Sequence, residues 1–288
     1  MASQQTQTPP SATRQAVAFT ALTFALSWLY WLAVAASARG WIPAITAKVP
    51  LTPFGSFAPA LAALLLARWW GGGPAVRNLL RAIVRWRAGL LPWLATLLTP
   101  PLIALASLLA ARLFGVLPPR AAIPGYLLLL APLEILLLGG PLGEEPGWRG
   151  FLLARLLPRY GPVIAGLVTG AVWFAWHLPL FWLPGSAQAG IPLGYYAVTL
   201  LSYSMVLTWI YVRSNGSVLL CILFHTSLDA TLWLVGAAYP DVLLRPAFGT
   251  TWVGLNVAAA LAAGVSLGGA VSKGTEREGT PQSPRFER

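Results

Sequence analysis

Apolar residues in this chain come in long blocks rather than alternating with polar ones. Residues 16–36, 90–113, 193–212, 218–238 and 251–271 carry few or no charges. Each block reaches the roughly 20 residues that cross a bilayer as a helix. Block 162–183 reaches that length too, and two shorter blocks, 53–70 and 123–138, have the same character and bring the expected number of spans to eight. Pro100 and Pro101 should kink the third span. The second has a face of small residues (Gly55, Ser56, Ala58, Ala60, Ala62 and Ala63) that suits close helix packing.

Two segments break this pattern. After Gly71-Gly72-Gly73-Pro74, Arg77, Arg81, Arg85 and Arg87 alternate with Leu79, Leu80, Ile83, Val84 and Trp86, as in a basic helix lying at the membrane interface. Residues 148–159 read as a short amphipathic helix. The expected fold is therefore all-α: a polytopic integral membrane protein of about eight helices around an intramembrane polar cavity. Residues 16–271 form one transmembrane domain, with disordered tails at 1–15 and 272–288.

Composition excludes an ordinary soluble domain. The chain of 288 residues is 57% hydrophobic and only 9% charged, and its mean hydropathy is +0.69. A net charge of +11 would suggest nucleic acid in a soluble protein. Here its distribution argues for lipid, with no nucleic-acid partner. With the N-terminus inside, the 19 Lys and Arg residues divide 14 to 5 in favour of the inner side. Eight spans with both termini cytoplasmic thus satisfy the positive-inside rule. Residues 1–15 lack the basic, apolar and small-residue regions of a cleaved signal peptide. Cys221 is the sole cysteine, which rules out an intrachain disulfide and a cysteine-based zinc site.

Against this background the acidic residues stand out. Of eight, Glu276, Glu278 and Glu287 lie in the tail and Asp241 in an outer loop, while Glu134, Glu144, Glu145 and Asp229 lie in or beside spans. Both histidines, His177 and His225, also fall inside spans. Ionisable groups at membrane depth are costly, and they mark functional sites. Glu144 and Glu145 sit in the run Gly139 to Phe151, where Gly139, Gly140, Pro141 and Gly143 interrupt the backbone beside Arg149. Irregular backbone at that depth belongs in a protein-lined cavity.

His225 and Asp229 are four apart and share a helix face, as do Trp173 and His177. Glu144, His177, His225 and Asp229 can therefore converge from three segments. Two histidines with carboxylates form a zinc set with an open position for water, which a metal would activate. Without metal, Glu144 can act as general base, with the histidines orienting the water or stabilising the oxyanion. Each residue also has a plain structural role open to it. Asp229 can simply pair with His225, and Glu145 with Arg149, although Pro146 weighs against a helical i,i+4 geometry for the second pair. No role follows for Glu134.

The run Glu144-Glu145-Pro146-Gly147-Trp148-Arg149-Gly150-Phe151 resembles the Glu-Glu-x-x-x-Arg motif of the CAAX-processing and bacteriocin-processing intramembrane proteases, the CPBP or Abi family. Trp173 to Pro179 resembles its second motif and His225 to Asp229 its third, His-x-x-x-Asn/Asp. The three occur in the family's order over about residues 132–230. Two positions depart from it. Trp173 stands where Phe is usual, a change expected to alter packing rather than chemistry, and Asp229 stands where Asn is commoner. The resemblance implies an eight-helix fold whose cavity opens to the cytoplasm or lipid. It further implies that Glu144 activates water, that His177 and His225 bind metal or polarise the carbonyl, and that Glu145 and Arg149 brace the site. The tentative metal set is Glu144, His177, His225 and Asp229, with zinc, another divalent ion or none. The composition suggests a bacterial member acting on a membrane-associated or lipid-modified (CAAX-like) peptide. A silent immunity or binding protein of the same fold is the alternative, and a proton-coupled transporter a more distant one.

Overall fold

The computed structural model describes residues 10–43, 45 and 52–278. Lys48 and the chain beyond residue 278 lie outside the described residues, as do residues 1–9 of the expected N-terminal tail. Among the described residues ten α-helices follow one another: α1 (Ala12–Ala38), α2 (Thr52–Ser56), α3 (Ala58–Ile83), α4 (Leu90–Leu113), α5 (Leu127–Leu138), α6 (Pro141–Gly147), α7 (Ala154–Trp176), α8 (Leu193–Arg213), α9 (Val218–Ala238) and α10 (Pro246–Glu278). A π-helical turn, Trp148–Leu153, joins α6 to α7, and a 3-10 turn, Leu178–Trp182, follows α7. No strand occurs among the described residues. The all-α class is as expected. Helix α1 begins at Ala12, capped by the Ser11 side chain, and α10 runs past residue 271.

Six segments among the described residues are long and apolar enough to cross a membrane, against the eight expected. Five coincide with expected spans. The fourth and fifth expected spans fall together in one largely helical segment, Leu127–Trp182, broken at Gly139 and Gly140 between α5 and α6. The second drops out because α3 carries its apolar half and the arginine segment as one helix, kinked at Gly72.

Side chains are distributed as lipid solvation requires. Large aliphatics face outward: Leu97, Leu98, Leu102, Leu105 and Leu109 on α4, and Leu128, Leu129, Leu130, Leu133 and Leu137 on α5. Such an apolar exterior marks a membrane-facing surface, and the chain is an integral membrane protein. Small hydroxyl residues turn inward instead, among them Thr23, Ser27, Thr96, Ser107, Thr169, Ser204 and Thr208. Several satisfy their hydroxyls on the carbonyl four residues back, as Ser107 does on Ile103 and Thr169 on Ala165, both at 2.8 Å. Ser204 instead reaches across from α8 to the Gly166 carbonyl of α7 at 2.8 Å. That bond requires the close approach that small residues permit.

A second tie fixes the helix pair that frames the site. The Trp28 indole donates to the Trp176 carbonyl at 2.9 Å, and the Trp176 indole donates to Ser27 Oγ at 2.7 Å. Ser27 Oγ in turn donates to the Gly55 carbonyl at 2.8 Å. Helices α1, α2 and α7 are thereby held together at the depth where His177 ends α7.

Candidate active site

Local sequence explains how the acidic stretch enters the core. Gly140 breaks the chain between α5 and α6 with φ of 124°, a region open mainly to glycine. A Cβ there would also come within 2.5 Å of Glu144 Oε1. Pro141 then starts α6, a position where its missing N–H costs nothing. At Gly147 the helix passes so near α3 that a Cβ would lie 2.6 Å from the Pro59 backbone. Two adjacent carboxylates can be buried here because the backbone that carries them packs without side chains.

Glu145 and Arg149 are both fully buried, and the guanidinium Nη1 lies 2.8 and 3.0 Å from the two Glu145 oxygens. This i,i+4 pair forms despite Pro146. Helix α6 continues through Pro146 and opens into the wider π turn at Trp148, so the proline does not swing Glu145 away. π turns inside helices recur at functional sites. The guanidinium also lies 4.6 Å from the Trp173 ring centre.

Glu145 Oε1 has a second partner, His225 Nδ1, at 2.9 Å. A carboxylate paired with a guanidinium is an acceptor, so Nδ1 carries the proton and donates. The other ring nitrogen, Nε2, lies 3.4 Å from Asp229 Oδ2, one turn further along α9. His177 caps the C-terminus of α7, where Pro179 two residues on prevents the helix from continuing. Its Nδ1 lies 2.8 Å from the Trp173 carbonyl. A carbonyl only accepts, so this nitrogen too donates, leaving Nε2 as the acceptor.

Glu144 is held from the other side, its Oε2 receiving the Trp173 indole N–H at 2.7 Å. Trp173 was expected to differ from the usual Phe in packing alone. It differs in chemistry, because a phenyl ring has no donor to offer. The Trp173 ring also lies 5.2 Å from the ring of His225 and 5.8 Å from that of His177, the former edge-on. One indole therefore meets Glu144, both imidazoles and the Arg149 guanidinium.

Glu144, Trp173, His177, His225 and Asp229 line one cavity of about 820 Å³. The structure thus brings together all six residues singled out in the sequence: four on the cavity wall, with Glu145 and Arg149 immediately behind. Glu134 is exposed on α5 and does not line it. Tyr196 and Tyr203 do line it, Tyr196 with its ring 5.5 Å from that of His177. Nothing in their spacing distinguishes them from the other aromatics of this chain.

The four donors named for zinc do not form a ready metal cradle. Among the described residues no group of three or more His, Cys, Asp or Glu side chains is placed to hold an ion. Both His225 nitrogens face carboxylates, and one Glu144 oxygen faces an indole.

Fold and site together define a polytopic helical membrane protein with a carboxylate–imidazole centre sequestered among its helices. Residues 125–231 match the family model of the Rce1-like type II CAAX prenyl endopeptidases, and all six site residues fall inside that match. A relative from Methanococcus maripaludis, "CAAX prenyl protease 2", is 32% identical over 100 residues, covering 33% of this chain and 37% of the relative. The chain is thus matched over little more than a third of that relative's length. Over this segment the chain is similar to the CAAX-processing (CPBP) proteases.

Proposed function

We propose that this protein is an intramembrane endopeptidase that hydrolyses a peptide bond of a membrane-associated or lipid-modified peptide. The observation that carries the reading is Glu144, a buried carboxylate fixed by an indole and turned to a cavity that two imidazoles share. In the proposed reaction Glu144 takes a proton from water as its oxygen bonds to the scissile carbonyl carbon. His177 orients that water through Nε2. His225, held as the imidazolium between the Glu145 and Asp229 carboxylates, donates from Nε2 to the carbonyl oxygen as charge develops there. Glu144 then delivers its proton to the amide nitrogen, and the carbon–nitrogen bond breaks to leave an acid and an amine. Glu145 and Arg149 act through His225, fixing its ring from behind.

The domain is taken as residues 16–271, in a bacterial cell membrane with both termini cytoplasmic, as the arginine distribution favours. The test is to compare peptide termini by mass spectrometry in membranes from cells carrying wild type or Glu144→Gln at matched expression. Termini made only by the wild type support the peptidase. Identical maps, from a wild type that still confers a phenotype, would move the immunity or binding reading to first place.

A further inference from the structure

The cavity has a direction. From Glu144 and His225 its wall runs along Tyr196 and Tyr203 to the segment 185–191, the last turns of α9 at Gly236 and Ala237, and the start of α10 at Phe248. These elements lie at one end of the bundle, where α7 and α9 finish and α8 and α10 begin. That end is fastened by Ala121 N–H on the Ala238 carbonyl at 2.7 Å and by the Tyr195 hydroxyl on the Gly249 carbonyl.

The arginines gather at the other end. Arg85 accepts on its carbonyl from Ser217 Oγ at 2.5 Å, at the start of α9. Arg155 donates to Gln15 at 2.6 Å, at the start of α1. Arg213 donates to Ser266 Oγ at 2.8 Å, joining the far ends of α8 and α10. Arg14, Arg77, Arg81, Arg87 and Arg159 lie at this end too. The cavity end has four among the described residues, Arg39, Arg112, Arg120 and Arg245. No Lys or Arg among the described residues lines the cavity itself.

We propose that the cavity is loaded from its arginine-poor end, which the positive-inside rule makes the extracytoplasmic face. The peptide would then be a translocated segment, presented from outside or from the outer leaflet, rather than the tail of a cytoplasmic protein. This departs from the cytoplasmic opening that the family resemblance implies. The identity of the ligand as a substrate rests on the peptidase reading; the direction of the opening does not.

The test uses the full-length protein in intact cells and requires no turnover. Ala187→Cys places a thiol at the cavity mouth and Arg87→Cys places one at the opposite end; both positions are exposed. The native Cys221 is completely buried and serves as an internal blank. The expected result is that a membrane-impermeant maleimide labels Ala187→Cys on intact cells, and Arg87→Cys only after permeabilisation. The reverse pattern overturns the proposal, and so does labelling of both from outside. A second arm places one reporter segment on either side of the membrane. Preferential cutting of the outer reporter supports loading from outside, and preferential cutting of the inner one overturns it. If neither is cut while the labelling pattern holds, the peptidase reading fails and the orientation stands.

Discussion

Replacing Trp173 by Phe removes one hydrogen bond and nearly conserves the remaining shape, restoring the residue usual at this position in the resembling family. The bond lost is the 2.7 Å contact from the indole to Glu144 Oε2. Hydrogen bonds to charged groups contribute about 1.5–3 kcal/mol. If that energy serves to hold the carboxylate toward the attacking water, its loss slows the chemical step by about 10- to 100-fold. The effect should appear in kcat with KM little changed, because the indole orients Glu144 rather than the substrate. The assay is cleavage of a fluorogenic peptide by purified protein in detergent or nanodiscs. Trp176→Phe is the control, since its indole donates to Ser27 at 2.7 Å, away from Glu144. It should lower thermal stability and leave kcat nearly intact. If Trp173→Phe turns over at the wild-type rate while Glu144→Gln is dead, Trp173 does not position the carboxylate and the argument fails.

Glu145→Gln leaves Arg149 buried beside a neutral partner, and breaking such a pair costs roughly 3–5 kcal/mol. The variant should lose most of its folded fraction in a detergent melt, and adding Arg149→Met should recover part of it. His225→Ala removes the donor proposed for the carbonyl oxygen and should reduce kcat by about 10²- to 10³-fold; a loss below tenfold would contradict that role. The cavity wall carries Glu144 and Asp229 but no Lys or Arg among the described residues. A peptide whose C-terminal carboxylate must enter should therefore be cut more slowly than its amide, with Asp229→Asn narrowing the gap, as competition kinetics would reveal. Since the donor set forms no ready metal cradle, dialysis against a chelator should leave activity within a factor of about two; a loss restored by added zinc would show that the side chains rearrange around an ion.

Much of this site was legible because charge is scarce in the chain. Once the spans are drawn, Glu144, Glu145, His177, His225 and Asp229 are conspicuous, and their four-residue spacings fix which share a helix face. Their convergence depends on helix packing, and the structure supplied it. The hydrogen bond from Trp173 was not legible, because in a chain with 14 tryptophans one more reads as packing. Pro146 misled for a different reason. Its effect on the preceding residue is a local preference, and the π turn that follows absorbs it within the helix. The helix count differed where apolar length alone is a poor guide: α3 runs its apolar and basic halves together, and α5 is only 12 residues long.

The order of these contacts along the chain bears on how the protein enters the bilayer. Glu145 and Arg149 are four residues apart, so their ion pair needs no distant segment and can close within a single turn as the chain is made. Glu144 waits 29 residues for Trp173, and Glu145 waits 80 for His225. Until α9 inserts, the nascent protein carries a carboxylate without its reaction partners. Under the proposed function, hydrolytic competence would therefore arrive late in synthesis, once most of the bundle exists to confine it.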